Sequence, residues 1–282
     1  MAIRNVTVIG AGTMGHGIAH AAIAGGYTTR MYDVSDAAVA QGRAAIEQIV
    51  KKGLELGKVP GAEADAMLGR LSGTSSLADA LHDADIVIEA APERIDLKMA
   101  LFAQIEQHAP AEAIIASNTS ALSITELAGS LKNPARVAGM HFFNPVHKMK
   151  LIEIVQALES APSTLEAIEE VSRRMGKETV LVRESPGFIT TRVNASIGNE
   201  AFYMLMEGVA SARDIDKALK LGLNHPMGPF ELVDLVGLDT RLSILEYLHR
   251  SLGEKYRPCP LLAQYVKAGR LGRKVGRGVY DY

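Results

Sequence analysis

Short β-branched runs alternate with longer stretches of helical period along the first two thirds of the chain, and the alternation stops near residue 186. Residues 6–9, Val-Thr-Val-Ile, predict a strand ending at Gly10. Small and apolar residues then run unbroken from Met14 to Ile23, which predicts a helix. A second strand is expected over 28–32, ending at Asp33, and Ser35 or Asp36 can cap a long helix running to about Gly57. Further strands are predicted over 85–89, 113–116, 137–140, 151–155 and 179–182, with helices over 93–108, 123–129 and 163–175. Apolar strands alternating with helices read as an α/β unit, a Rossmann-type, doubly wound, mainly parallel sheet covered on both faces.

From Phe188 onward helical period continues without strand-like runs, over 188–208, 211–221, 230–252 and a short stretch near Leu261. Ser185-Pro186-Gly187 is the natural boundary. The expected organisation is a dinucleotide-binding domain over 1–185 followed by an all-helical domain over 186–282. A helical unit this small and this apolar buries its faces poorly alone, so packing against a second copy is expected.

Composition narrows the function classes. Hydrophobic residues make up 48% of the 282 positions and charged residues 22%, as in ordinary globular proteins. Lys+Arg number 30 against 32 Asp+Glu, a net charge of -2, which argues against the broad basic field that nonspecific nucleic-acid binding needs. Cys259 is the single cysteine, and no apolar run approaches the ~18 residues of a membrane span. Residues 1–5 pass directly into the first strand, leaving no room for a signal segment. A cytoplasmic protein with neither nucleic-acid nor membrane partners is expected.

Gly10-Ala-Gly12-Thr13-Met14-Gly15 lies between the first strand and the first helix, the one context in which G-x-G-x-x-G carries weight. Gly10 permits the tight turn, Gly12 lets a pyrophosphate approach the backbone, and Gly15 lets the helix close on the sheet, so that the helix N–H groups face the phosphates. Asp33 follows Gly15 by 18 residues, at the end of the second strand. A carboxylate there accepts from a ribose diol and repels a 2′-phosphate, so NAD is favoured over NADP. Arg30 could serve a 2′-phosphate, but strand alternation places it on the face opposite Asp33.

Most of the 8 histidines have ordinary explanations as solvated or helix-end residues. His16 and His20 are spaced i, i+4, as metal ligands can be, but no third ligand is near, and no metal is expected. His141 differs, because it ends the apolar run 137–140 at the carboxyl edge of the sheet, where ligands of doubly wound sheets bind. Glu153 follows 12 residues later and interrupts another apolar strand. A carboxylate there is costly unless paired, and a histidine on a neighbouring strand would pair it and tune an acid–base group. A purely structural His–Glu contact has the same spacing. Ser117-Asn118-Thr119-Ser120 follows the strand at 113–116, where it could cap a helix or aim donors at a bound carbonyl or hydroxyl.

In ordered combination, the glycine turn, Glu89-Ala-Ala-Pro-Glu93, 117–120, His141-Phe-Phe-Asn144-Pro145, Pro186-Gly-Phe188, His225-Pro-Met-Gly-Pro-Phe-Glu231 and Gly272-Arg-Lys274 closely resemble the short-chain L-3-hydroxyacyl-CoA dehydrogenase family, its bacterial 3-hydroxybutyryl-CoA branch in particular. The resemblance runs from Val8 to Tyr282. It implies an NAD-dependent oxidoreductase with His141 as general base, Glu153 as its orienting acid and Ser120 on the substrate's 3-oxygen. Asn144 would lie beside the nicotinamide, and Glu93, Lys98, Asn118, Ser120 and Lys274 would serve the cofactor. Many relatives carry an asparagine on the thioester carbonyl where this chain has Thr191, so Thr191, Asn194 and Asn199 are the alternative donors. Lys51, Lys52 and Lys58 could meet the CoA phosphates or simply be a solvated helix end. A homodimer through the helical domain is the expected assembly. A dehydrogenase of free hydroxy or sugar acids and a noncatalytic NAD-binding protein are the competing classes.

Overall fold

The computed structural model describes residues 3–282; Met1 and Ala2, part of the stretch read as leaderless, lie outside the described residues. The chain divides into two compact units, Met1–Glu184 and Ser185–Tyr282.

The first unit opens β1 (Asn5–Ile9), α1 (Thr13–Ala24), β2 (Thr28–Tyr32), α2 (Asp36–Glu55), α3 (Gly61–Gly69), β3 (Leu71–Thr74), α4 (Leu77–Leu81), β4 (Ile86–Glu89) and α5 (Ile95–His108). It continues β5 (Ile114–Ser117), α6 (Ile124–Gly129), β6 (Val137–Phe142), β7 (Leu151–Gln156), α7 (Pro162–Arg174) and β8 (Glu178–Arg183). The sheet order is β3-β2-β1-β4-β5-β6-β7-β8, parallel except for the β6/β7 pair. Order reverses between β1 and β4, the position where doubly wound sheets open a ligand crevice at their carboxyl ends. Central strands β4, β5 and β6 are buried along their whole length, so they read as continuous apolar runs.

Sequence periodicity did not reveal β3, α3 or α4. β3 is Leu-Ser-Gly-Thr, with Leu71 its one buried residue, an edge strand with neither alternation nor an apolar run. Gly73 stands there because a Cβ would fall 2.4 Å from Val39 Cγ1. α4 has five residues, too short for period, and its signal is the Ser76 hydroxyl accepting from Asp79 N at 3.3 Å.

The second unit contains α8 (Thr190–Met206), α9 (Ala212–Gly222), α10 (Pro229–Val236), α11 (Leu238–Leu252) and α12 (Pro260–Lys267). The expected single helix over 230–252 is two, because Gly237 at φ 107 turns the chain out of helical conformation between them. Phe202 and Phe230 meet edge to face at 5.2 Å within a core that includes Ile215, Val233, Leu245 and Leu262. The chain end is tied to this core through Asp234, which accepts from Val279 N at 2.8 Å, Tyr280 N at 2.9 Å and the Tyr282 hydroxyl at 3.0 Å.

Candidate active site

The carboxyl edge of β1 and the start of α1 are shaped by contacts that only glycine tolerates. A Cβ on Gly15 would stand 1.7 Å from Gly10 O, and one on Gly10, at φ 100, would stand 2.8 Å from Ala90 O. Gly12, by contrast, has nothing within 4 Å of its Cβ position, so its surface is open to an approaching group. α1 has no side-chain cap and no acidic residue in its first turn, which leaves its N–H groups and the positive end of its dipole to an anion. Asp33 is oriented by Ala11 N on Oδ2 and Val34 N on Oδ1, both at 2.7 Å, and each oxygen keeps a further lone pair for a ribose hydroxyl. Gly12, Thr13, Met14, Asp33, Leu97 and Leu101 help line a cleft of about 700 Å³ here. These features fit a dinucleotide. Arg30 is drawn away to Asp83 at 2.5 Å.

Around the strand ends runs a continuous polar network. Glu89, the last residue of β4, is 0% exposed and receives Lys98 Nζ at 2.6 Å, Ser117 Oγ at 2.6 Å and Ala91 N at 2.6 Å. Glu93 receives Ser120 N at 2.9 Å and the Thr119 hydroxyl at 2.5 Å. Asn118 Oδ1 accepts from Phe142 N at 2.9 Å and so ties the end of β5 to the residue after His141. Sequence reasoning missed Glu89 and Ser117 as members of this network. An acid ending an otherwise apolar strand, the signal that drew attention to Glu153, was present at Glu89 too.

His141 and Glu153 are directly opposed partners in the antiparallel β6/β7 register. Their side chains meet at 2.7 Å between Nδ1 and Oε2, with relative exposures of 4% and 0%. A buried carboxylate in this geometry takes the Nδ1 proton, which directs Nε2 outward as the nitrogen able to exchange a proton. The loop carrying Asn144 lies against α1 because Gly17 leaves room for Val146: a Cβ on Gly17 would fall 2.9 Å from Val146 Cβ. Burying Val146 there is worth about 1.5–3 kcal/mol. Asn144 itself is exposed.

The remaining expected site residues fall elsewhere. Lys98 is 1% exposed, inside the polar network rather than on the cleft surface. Lys51, Lys52 and Lys58 are exposed at and beyond the end of α2, and Lys52 pairs with Glu55 at 3.2 Å. In the second unit, Lys274 Nζ lies 2.6 Å from both oxygens of Asp239. Thr191 and Asn194 are half-buried on α8. Asn199 is already committed, since Nδ2 donates to Arg257 O at 2.9 Å and Oδ1 accepts from Cys259 N at 2.8 Å, which removes it from the alternatives for the thioester. His20 is buried with Nδ1 unpartnered, and burial, aided by His147, Lys177 and His16, pushes its pKa down to about 4. No group of three or more His, Cys, Asp or Glu among the described residues could hold a metal ion.

Comparison with known proteins adds a consistent finding. Residues 5–185 match the family model described as 3-hydroxyacyl-CoA dehydrogenase, NAD binding domain, and residues 187–282 match that of the 3-hydroxyacyl-CoA dehydrogenase C-terminal domain. The chain is 47% identical to a Bacillus subtilis protein named "Probable 3-hydroxybutyryl-CoA dehydrogenase", over 100% of this chain and 98% of that one. It is 43% identical to the 3-hydroxybutyryl-CoA dehydrogenase of Bradyrhizobium diazoefficiens, covering 99% and 96%. The crystal structure of (S)-3-hydroxybutyryl-CoA dehydrogenase from Ralstonia eutropha superposes with a TM-score of 0.96 at 45% identity, covering 100% and 99%.

Proposed function

Because this chain belongs to the 3-hydroxyacyl-CoA dehydrogenase family, we propose that it interconverts (S)-3-hydroxybutyryl-CoA and acetoacetyl-CoA with NAD as the redox partner. The observation that carries this reading is the buried His141–Glu153 pair, 2.7 Å apart. Bound NAD supplies the acceptor for the hydride leaving C3 of the hydroxyacyl group. His141 Nε2 takes the hydroxyl proton in oxidation and returns it in reduction. Glu153 holds the Nδ1–H tautomer and stabilises the imidazolium between the two steps. Ser120 donates to the 3-oxygen, Asn144 flanks the nicotinamide, and Asn118 keeps the His141 strand end in place. Gly10, Gly12, Thr13, Met14 and Gly15 hold the pyrophosphate, Asp33 the adenosine ribose, and Lys274 the cofactor from the second unit.

Under the same reading, residues 1–185 form the NAD-binding domain and 186–282 the substrate-binding and dimerisation domain. Exposed Ile189, Val193, Met206, Leu221 and Leu223 in the helical unit support a homodimer formed through it. Thr191 donates to the thioester carbonyl, and Lys51, Lys52 and Lys58 receive the CoA phosphates. The chain acts in the cytoplasm on short acyl-CoA esters of fatty acid and butanoate metabolism.

Steady-state reduction of acetoacetyl-CoA and of free acetoacetate, each with NADH and NADPH, tests the reading. The expected result is turnover of the thioester with NADH and little with the free acid. Preference for free acids replaces the substrate class, and no turnover with intact NADH binding replaces the enzyme with a binding protein.

A further inference from the structure

Lys98 keeps an ammonium where water does not reach it, at 1% exposure. Its Nζ lies 2.6 Å from Glu89 Oε1, 3.1 Å from Ala91 O and 3.6 Å from Glu93 Oε2. An ammonium has three N–H donors, and all three face oxygens here, so none is left to reach a cofactor. Glu93 is the member of this group that meets solvent, with its side chain 44% exposed. It is also the member joined to Ser120, through the 2.9 Å bond from Ser120 N.

Two carboxylates and one ammonium leave the group a net charge of about -1. Fixing the turn over 90–93 does not require charge, and burying ions costs several kcal/mol each before their attraction repays it. A neutral, hydrogen-bonded set would hold the same backbone at lower desolvation cost. What the charged set adds is a fixed negative potential beside Ser120. The nicotinamide ring is the part of NAD whose own charge changes in the reaction, positive when oxidised and neutral when reduced.

We propose that the Glu89–Lys98–Glu93 group is an electrostatic positioning element whose net negative charge favours binding of the oxidised, cationic nicotinamide over the reduced one. Lys98 and Glu89 then act through Glu93 rather than by touching the cofactor. The inference rests on the reading that places the nicotinamide beside Ser120 and His141.

The test is the ratio of dissociation constants, Kd(NAD+)/Kd(NADH), measured by calorimetric titration of the full chain and three variants. Glu89→Gln removes one negative charge and raises the ratio by about 5-fold, the scale of a unit charge several ångströms away at a dielectric of about 20. Lys98→Met removes the positive charge and lowers the ratio by a similar factor. Glu89→Gln/Lys98→Met restores the net charge and returns the ratio to within about 2-fold of the unmodified chain. If both single variants weaken the two cofactors in equal proportion, or shift the ratio in the same direction, the group is only a scaffold and the proposal is overturned. Should Glu89→Gln fail to fold, Glu93→Gln makes the same change of charge at the half-exposed member, and an unchanged ratio there overturns it equally. A ratio indifferent to charge alongside an inactive His141→Ala leaves the dehydrogenase reading standing. An active His141→Ala removes the nicotinamide placement, and this inference with it.

Discussion

In the first unit Glu153 and Glu89, both 0% exposed, face charged or chargeable side chains, His141 and Lys98. In the second, Asp234 and Asp216 are buried as deeply but face backbone N–H groups and tyrosine hydroxyls. The cost of burying a carboxylate is met in both places, by different means. Backbone partners cannot change protonation state near neutrality, so Asp234 and Asp216 act as staples for the chain end and the start of α10. Histidine can, so Glu153 is coupled to a proton that moves. The Tyr280 hydroxyl marks the staple side of the contrast: burial first, then Asp216 and Asp234, push it far above its ordinary range, so it remains a donor at every working pH.

The contrast makes graded predictions. His141→Ala should lower kcat by at least about 100-fold in acetoacetyl-CoA reduction while NADH binding, followed by its fluorescence, barely changes. A variant within a few-fold of the unmodified chain would take the buried pair of the first unit out of the chemistry. Asp234→Ala should show the opposite profile, a stability loss of roughly 2–4 kcal/mol by urea unfolding from three partners left without their acceptor. A stable variant with damaged catalysis would erase the distinction between the two units.

His20 sharpens the picture as the histidine of the first unit whose Nδ1 is buried without a partner. Its folded pKa of about 4 lies below the ordinary 6.5, so its contribution to stability is full above pH 6.5 and lost as the pH falls toward 4. The scale is about 3 kcal/mol. Melting temperature followed from pH 7 to 4 should fall less steeply in His20→Gln; parallel profiles would show that other groups dominate the acid limb.

Thr191→Val asks whether the helical unit contributes to chemistry at all. Loss of about 10-fold in kcat/KM for acetoacetyl-CoA, with NADH affinity untouched, is expected for a deleted polarising donor. A silent Thr191→Val with a damaging Asn194→Ala transfers the role one turn along α8. Smallest of all should be Arg241→Met. Arg241 is 2% exposed with Nε unpartnered, and burial pulls its guanidinium down to about 10. Replacing a buried charge that lacks a partner should change stability by no more than about 1 kcal/mol, in the stabilising direction. A loss of several kcal/mol would mean that this charge, too, is paired.

Much of this organisation is legible from local pattern, because local pattern follows local sterics. Strands β1, β2, β4, β5 and β6 announce themselves as apolar runs since both faces of the sheet are covered, and the glycine turn does so because a Cβ at Gly10 or Gly15 collides with backbone. Asp33 is legible for the same reason, as a strand-end residue at a set distance from that turn. Where an element is short or half-solvated, as in β3 and α4, the pattern has nothing to work on, and Gly237 divides α10 from α11 through a conformation that hydrophobic period does not record.

Partnership is a different matter. Whether Glu153 pairs with His141 depends on β6 and β7 running antiparallel in one register out of several, and a slip of one residue would point the two side chains to opposite faces. That Lys98 turns inward to Glu89, and that Asn199 spends its amide on the backbone at 257 and 259, is likewise decided only when chain segments far apart in sequence are packed together. Residue types and spacing by themselves determined which side chains this protein has available for chemistry. Burial and register, which belong to the folded chain as a whole, decided which of them are charged partners, which are staples and which meet the cleft.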